Sequence, residues 1–336
     1  MKNCIIGCGN ISHKHLEALK NISDVFICGV ADLDKSKGEK VAIDYKTKYY
    51  LEYKKMIEEC KPDVVHICTP HDLHAQMAIY CMKKGCHVII EKPLALCRKD
   101  CEEIIATASK YGKYADVVFQ NEYNISIKYL RTLVGQEKFG KLLGATVNLS
   151  WRRDQEYYSE SDWRGNKERA GGGVIINQSI HSIHLMYKFF GSIKSVKCKT
   201  SNLQNYKIDV EDSAQAILNF ENGKKVLLNL SICNVINQPA VLEFYFEKAC
   251  IIIKGDECYI NGKKTIFFEE YIAKCTNAME RDVCYGKGHY YWLDNYYNNI
   301  RESNYSLNNI REAAECMDII FALYKSAELD KEVILI

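Results

Sequence analysis

The sequence predicts an α/β protein in two parts. Residues 1–121 read as a doubly wound parallel-sheet domain, and residues 122–336 as an α+β domain built on a large, mostly antiparallel open sheet. Three observations predict this. Up to about residue 120, short apolar runs alternate with segments of helical spacing, which is the grammar of strand–helix–strand units. Beyond residue 122, strand candidates follow one another with turn residues between them. A chain of 336 residues is also long enough for two ordinary domains.

The elements follow in order. "NCIIG", "VFICGVAD", "DVVHICTP", "HVIIEKP" and "YADVVFQ" are short and apolar throughout, as strands covered on both faces must be. Between them, "HKHLEALKNI", "YKKMIEEC" and "LHAQMAIYCMKKG" carry apolar residues at helical spacing. The second half opens with a helix, "IKYLRTLVGQ", and an extended run, "LLGATVNLSW". A glycine-rich segment comes next, and after it the strand candidates "SVKCKTS", "AQAILNF", "KVLLNLSI", "VLEFYF", "CIIIKG" and "TIFFEE". Asn222-Gly223 and Asn261-Gly262 are hairpin signals of the type I′ kind. Two helices, "YYWLDNYYNNI" and "NIREAAECMDIIFALYKSAEL", close the chain and are expected to pack back toward the N-terminal domain.

Composition narrows the function. The net charge of +2 leaves no electrostatic footprint for nucleic acid or an anionic membrane. No apolar run reaches the roughly 18–20 residues that span a bilayer, and "MKNCIIGCGN" enters a strand directly with no signal-peptide pattern. A cytoplasmic protein is the expectation. Sixteen cysteines occur without a C-x-x-C pair, so they read as reduced, mostly core residues, with no metal site expected.

"IIGCGNISHKH" sets Gly7 and Gly9 at the first two positions of a dinucleotide fingerprint, with Ser12 at the third. It follows the first strand and opens a helix, so Gly7 makes the turn and Gly9 lets backbone reach a pyrophosphate at Asn10 and Ile11. The second strand ends on Asp32, where a carboxylate bonds a ribose 2′-hydroxyl and repels a 2′-phosphate. NAD is therefore favoured, with NADP left open by the nearby Lys35 and Lys37.

In "GGGVIINQSIHSIH", Asn177, His181 and His184 stand at spacings of four and three, so a helix would carry them on one face. "HVIIEKPLAL" ends a strand on Glu91-Lys92-Pro93, at the sheet edge where ligands of open α/β folds bind. With "CTPHDLH" one strand earlier and "FQNEYN" one strand later, these motifs resemble the glucose-fructose oxidoreductase, inositol dehydrogenase and rhizopine catabolism (Gfo/Idh/MocA) family, in the expected order from Gly7 to the last helices.

The resemblance implies a Rossmann domain, a domain with a large open sheet, and NAD(P)-linked transfer between nicotinamide and a secondary alcohol of a sugar or cyclitol. It makes Lys92 and His181 the catalytic pair. It also sets Thr69, Pro70 and His74 along the cofactor, Glu91 near the nicotinamide ribose and Asn121 at the cofactor site. The family's inositol dehydrogenases have Asp where this chain has Asn177 and where it has His184. "NQ" before the His is similar to a branch acting on nucleotide-linked or glycosidic N-acetyl sugars. Asn177 in place of Asp leaves Lys92 or His181 more easily neutral, as a base in an oxidation must be.

"WRRDQEYYSESDWRGNKERAGGG" supplies Tyr157, Tyr158, Trp163 and Arg164 for stacking on and bonding a sugar, alongside Asn177, His181 and His184. The three glycines are expected to let this loop lie against the cofactor. Five basic and five acidic residues balance in the segment, so a neutral sugar, a glycoside and a nucleotide sugar all remain open. The expected function is oxidation of a ring secondary alcohol, at C3, of a sugar, glycoside or nucleotide sugar. Its rivals are a bound-NAD enzyme that cleaves or epimerises glycosides by transient oxidation, a non-catalytic sugar or dinucleotide sensor, and a reductase of non-sugar ligands. Self-association to a dimer or tetramer is expected through the second sheet, where "VLEFYFE" and "CIIIKG" would otherwise expose apolar residues.

Overall fold

A computed structural model describes residues 1–204, 206–265, 288–304 and 306–335. The chain divides into two compact units: Met1–Phe119 with His289–Met317, and Gln120–Gly288 with Asp318–Ile336.

The first unit alternates strand and helix as β1 (Lys2–Ile6), α1 (Asn10–Leu19), β2 (Phe26–Ala31), α2 (Lys35–Asp44), β3 (Tyr49–Tyr50), α3 (Tyr53–Cys60), β4 (Val64–Ile67), α4 (His74–Lys83), β5 (His87–Ile90), α5 (Arg98–Tyr111) and β6 (Ala115–Val117). All six strands are parallel, in the order β3-β2-β1-β4-β5-β6. The order reverses between β1 and β4, and that switch point opens the ligand crevice of such sheets. Every residue of β4 is buried, which is why the run shows no alternation. Strand β3 has two residues, too few for a periodic signal, and the sequence reading passes over it.

The second unit carries α6 (Ile125–Leu133), β7 (Leu142–Ser150), α7 (Gln155–Ser159), α8 (Lys167–Ala170), α9 (Ile180–Phe190), β8 (Ile193–Ser201), β9 (Ser213–Phe220), β10 (Lys225–Ser231), β11 (Val241–Phe246), β12 (Cys250–Lys254), β13 (Glu257–Ile260) and β14 (Lys263–Lys264). After these come α10 (Gly288–Arg301), α11 (Asn308–Leu329) and β15 (Val333–Ile334). The sheet order is β14-β13-β12-β11-β7-β10-β9-β8-β15. Only β7 and β10 pair in parallel. Strand β10 alternates strictly, burying Val226, Leu228 and Leu230 and exposing Leu227. Helix α9 covers the buried face, its Phe190 ring stacked on Phe244 and tilted on Phe220.

The two Asn-Gly turns differ. Asn261 and Gly262 both have positive φ (50° and 78°) and close β13 to β14 as a two-residue type I′ turn. Between β9 and β10 the loop is longer and only Gly223 is left-handed (φ 79°), so that hairpin is not type I′. The strand expected over "TIFFEE" lies outside the described residues beyond Thr265. Among the described residues fourteen cysteines are free thiols, mostly buried, and Cys97 is exposed. No described helix is long and apolar enough to cross a membrane.

Candidate active site

In the first unit, the expected cofactor residues gather at the carboxyl ends of β1, β2, β4 and β5. Gly7 leaves β1 with φ 93°, its N–H donating to Ala31 O at 2.8 Å, and an added Cβ would stand 2.5 Å from Cys68 O. Only glycine meets both conditions. Gly9 caps α1 with an ordinary φ of −76°, and an added Cβ would meet nothing within 4 Å. The chain's own packing therefore leaves open space over Gly9. The N-terminus of α1 has no side-chain cap, so the amides of its first turn, beginning at Asn10 and Ile11, are available to an anion. Ser12, the third fingerprint residue, is buried and its Oγ donates to Gly9 O at 2.6 Å. Asp32 holds the loop: Oδ2 accepts from Cys8 N at 2.6 Å and Oδ1 from Asp34 N at 2.7 Å. Uncapped amides, open backbone and an adjacent carboxylate fit a dinucleotide.

Thr69 and Pro70 leave β4, half-buried, with Thr69 Oγ1 3.6 Å from Met77 Sδ. His74 lies in the interior as a brace, Nδ1 2.7 Å from Pro93 O and Nε2 3.0 Å from Thr69 O. Burial lowers its proton affinity against those two carbonyls. It thus ties the end of β4 to the Glu91-Lys92-Pro93 turn. Lys92 is half-buried, its peptide to Pro93 is cis, and its N–H donates to Glu91 Oε2 at 3.2 Å.

Glu91 is buried against histidines, with Oε1 2.8 Å from His15 Nε2 and 3.7 Å from His289 Nε2. Burial opposes its charge, yet those two imidazoles hold its carboxyl well below the ordinary range. The three side chains offer ligand atoms within 4.8 Å of one another. Two ligands on one tetrahedral metal stand about 3.3 Å apart, given bonds of roughly 2 Å, so the His15–Glu91 contact is a hydrogen bond.

In the second unit, Gln120, Asn121 and Glu122 lie in a 3₁₀ turn, Gln120–Tyr123. Gln120 Nε2 is 3.4 Å from His181 Nε2. An amide nitrogen can only donate, so His181 accepts there and carries its proton on Nδ1. His184 Nδ1 faces Glu122 Oε1 at 3.2 Å, and burial, then Lys188, His181 and Arg131, drive its proton affinity far down. A neutral His184 facing a carboxylate stands where the sequence reading expects Asp in the family's inositol dehydrogenases.

Asn177 departs from the helix-face expectation. It sits in a separate π turn, Val174–Gln178, that runs into α9 through Ser179. There its Nδ2 donates to Tyr157 OH at 3.3 Å, as Gln178 Nε2 does at 3.5 Å. The Arg164 guanidinium lies 4.4 Å over the Tyr157 ring, and Nη1 donates to Tyr157 O at 3.0 Å. Tyr157, Arg164, Asn177 and Gln178 thus form one cluster. Trp163 is half-buried beside it in sequence, whereas Tyr158 is buried against Tyr157 and Tyr206 and supports the loop from below.

The glycines do something other than the loop reading expects. A Cβ on Gly173 would stand 1.8 Å from Glu211 O, and one on Gly172 would stand 2.0 Å from Tyr324 OH. They make room for the chain itself. Half-buried Glu211 accepts from Gly173 N (2.8 Å) and Ile175 N (3.0 Å), and from Tyr324 OH at 2.9 Å, so it anchors the π turn that precedes His181. Burial raises its pKa against these bonds. Sequence reasoning misses Glu211, Tyr324 and Gln120. Gln120 alone had a signal, as the neighbour of Asn121.

Comparison with known proteins places the chain in a family. Residues 1–119 match an oxidoreductase family model with an NAD-binding Rossmann fold, and residues 127–252 match the GFO/IDH/MocA C-terminal domain. The chain belongs to the GFO/IDH/MocA oxidoreductase family. As a member it is an NAD-dependent oxidoreductase with the predicted α/β fold. Among GFO/IDH/MocA relatives it is 24% identical to D-glucoside 3-dehydrogenase of Escherichia coli K12, over 98% of this chain and 95% of the relative. It is 25% identical to myo-inositol 2-dehydrogenase of Thermotoga maritima, over 80% and 82% of the two chains. The WlbA dehydrogenase of Chromobacterium violaceum, solved with NADH and UDP-GlcNAcA, superposes with TM-score 0.86 at 25% identity, covering 100% of this chain and 96% of that one.

Proposed function

We propose that this GFO/IDH/MocA member oxidises a ring secondary alcohol, at C3, of a glycoside or nucleotide sugar. The observation that carries the reading is the Tyr157–Arg164–Asn177–Gln178 cluster, in which an aromatic ring, a guanidinium and two amides converge. Such a set stacks on a sugar's C–H face and bonds its hydroxyl or N-acetyl oxygens without demanding an acid. The 3-dehydrogenase and UDP-GlcNAcA relatives support the same substrate class.

Bound NAD supplies the two-electron acceptor, held at Gly7, Gly9, Asn10, Ile11, Asp32, Thr69, Pro70 and Glu91. Lys92, as the free amine, takes the hydroxyl proton. His181 is the second proposed catalytic residue, a donor from Nδ1 with its tautomer set by Gln120. Asn177 carries no charge, so it leaves the base free to be neutral. The test is NADH formation at 340 nm against free sugars, inositols, glycosides and UDP-N-acetyl sugars, with NAD and NADP. Turnover is expected on glycosides or UDP-sugars with NAD, and Asp32→Gly is expected to narrow the gap to NADP by removing the carboxylate that repels a 2′-phosphate. Silence across the panel with NAD retained would overturn the dehydrogenase reading in favour of a bound-cofactor enzyme.

We also propose a cytosolic setting and self-association through the second unit. Its open sheet exposes Ile217 and Leu227, paired across β9 and β10, with Tyr245 on β11 and Leu143 on β7. The strip lies nearer β9 and β10 than "VLEFYFE" and "CIIIKG" suggested, since Leu242, Phe244, Ile251 and Ile253 are buried. Leu227→Glu is expected to reduce the mass measured by light scattering to that of a smaller species. An unchanged mass would remove this face as the contact.

A further inference from the structure

A buried chain of polar groups runs through the first unit from Asn3 to Glu91, and beyond Glu91 itself neither the cofactor nor the substrate reading uses it. Asn3 Nδ2 donates to Met1 O at 3.0 Å. Asn3 Oδ1 accepts from Tyr297 OH. Tyr297 OH is 2.7 Å from His66 Nε2, and His66 Nδ1 is 2.7 Å from His15 Nδ1. His15 Nε2 is 2.8 Å from Glu91 Oε1. Asn3, His15, His66 and Tyr297 are wholly buried, and Glu91 nearly so.

The donors can be assigned from one end. The Met1 carbonyl claims the Asn3 amide nitrogen, so Tyr297 meets an oxygen that only accepts. Tyr297 spends its single proton there. Its own oxygen must then accept from His66, whose proton lies on Nε2. Burial keeps His66 neutral, so His66 Nδ1 is a lone pair and His15 must donate to it from Nδ1. Glu91 Oε2 accepts from the Lys92 N–H, and Oε1 faces both His15 and His289, which is the setting of a carboxylate, so His15 also donates from Nε2. Four bonds therefore hold four protons, while one tyrosine, two neutral imidazoles and a carboxylate bring three.

We propose that the fourth proton resides on His15, and that the direction of the Asn3 amide thereby holds His15 as an imidazolium and Glu91 as an anion beside Lys92. The pair is neutral overall, which is the condition for burying two charges. An amide oxygen does not take up a proton, so the array ends at Asn3 and stores a proton rather than conducting one. His15 is a positioning residue that acts on Lys92 through Glu91. The other groups facing Glu91 are His66 from β4, Cys68 just beyond it, His74 from α4, His289 from α10, and Lys92 itself.

The experiment is ring ¹⁵N spectroscopy of the full chain with labelled histidine, His15→Gln and His66→Gln supplying assignments. At pH 7 the wild type is expected to show His15 protonated on both nitrogens and His66 on Nε2 alone. In Asn3→Leu, Tyr297 is free to donate to His66, so His66 should switch to the Nδ1 tautomer and His15 should lose a proton. A neutral His15 in the wild type overturns the proposal without any variant, and so does an unchanged His66 in a folded Asn3→Leu. The kinetic arm rests on the dehydrogenase reading. His15→Gln removes the cation that offsets the Glu91 anion, so Glu91 holds the Lys92 ammonium more tightly and the acid limb of kcat/KM should move up by about one pH unit or more. A limb that stays in place overturns the effect on Lys92. The spectra need no substrate, so failure of the array and failure of the dehydrogenase reading are separable.

Discussion

Lys92→Ala loses about 10²- to 10⁴-fold in kcat, the usual worth of a positioned base, and still binds NAD. The proton must leave the carbinol oxygen as the electrons leave its carbon, and the proposed mechanism gives that step to a half-buried amine at the end of β5. The turn that presents it is braced independently, by His74 against Pro93 O and by Glu91 against the Lys92 N–H. Removing the side chain should therefore leave the backbone in place. Lys92→Arg separates the two things a lysine supplies: it keeps the positive charge, but its guanidinium does not deprotonate in proteins. A base predicts that arginine fails as badly as alanine, and that an added small primary amine restores part of the rate to the alanine variant. Recovery in Lys92→Arg would instead make Lys92 an electrostatic group and move the base to His181.

Gly173→Ala is the second large effect, and it acts on stability. Its Cβ would stand 1.8 Å from Glu211 O and 2.9 Å from Glu211 C, so backbone must move. Overpacking alone commonly costs about 1–3 kcal/mol. The shift also pulls Glu211 from Gly173 N and Ile175 N, and each hydrogen bond to a charged group is worth roughly 1.5–3 kcal/mol. A loss of about 3 kcal/mol or more is expected, a large part of the roughly 5–15 kcal/mol that holds a domain together. Chemical denaturation read by tryptophan fluorescence checks it. A midpoint shift worth under about 1 kcal/mol would mean that the π turn relaxes around the methyl group at little cost. Glu211→Gln is a milder companion, since it keeps the shape but turns an amide nitrogen toward a backbone N–H that had an acceptor.

Most of the first unit was legible because its signals are local. The runs around β1, β2, β4 and β5 state burial on both faces, and Gly7, Gly9 and Asp32 stand at spacings that a strand–turn–helix converts directly into a crevice. The second unit was legible as a sheet because β10 and its neighbours alternate, and as part of a site because Asn177 and His181 share a motif. The helix-face argument then failed for Asn177. A π turn adds a residue to the hydrogen-bonded ring, so an i,i+4 rule no longer applies across it.

The sequence by itself determined the class of fold, the dinucleotide fingerprint, the acid that favours NAD and the lysine and histidine on which the chemistry is proposed to rest. The fold and the fingerprint are written in neighbouring residues, where period and spacing are enough, and the lysine and histidine follow from the resemblance that their motifs carry. Only the tertiary structure decided what holds these residues in their states. His66 meets Tyr297 across 231 positions, and Tyr324 meets Ile176 across 148. Gln120 reaches His181 across 61 positions and sets its tautomer. No local pattern encodes such pairs, because a buried polar group needs its partner in space and is indifferent to where the chain supplies it.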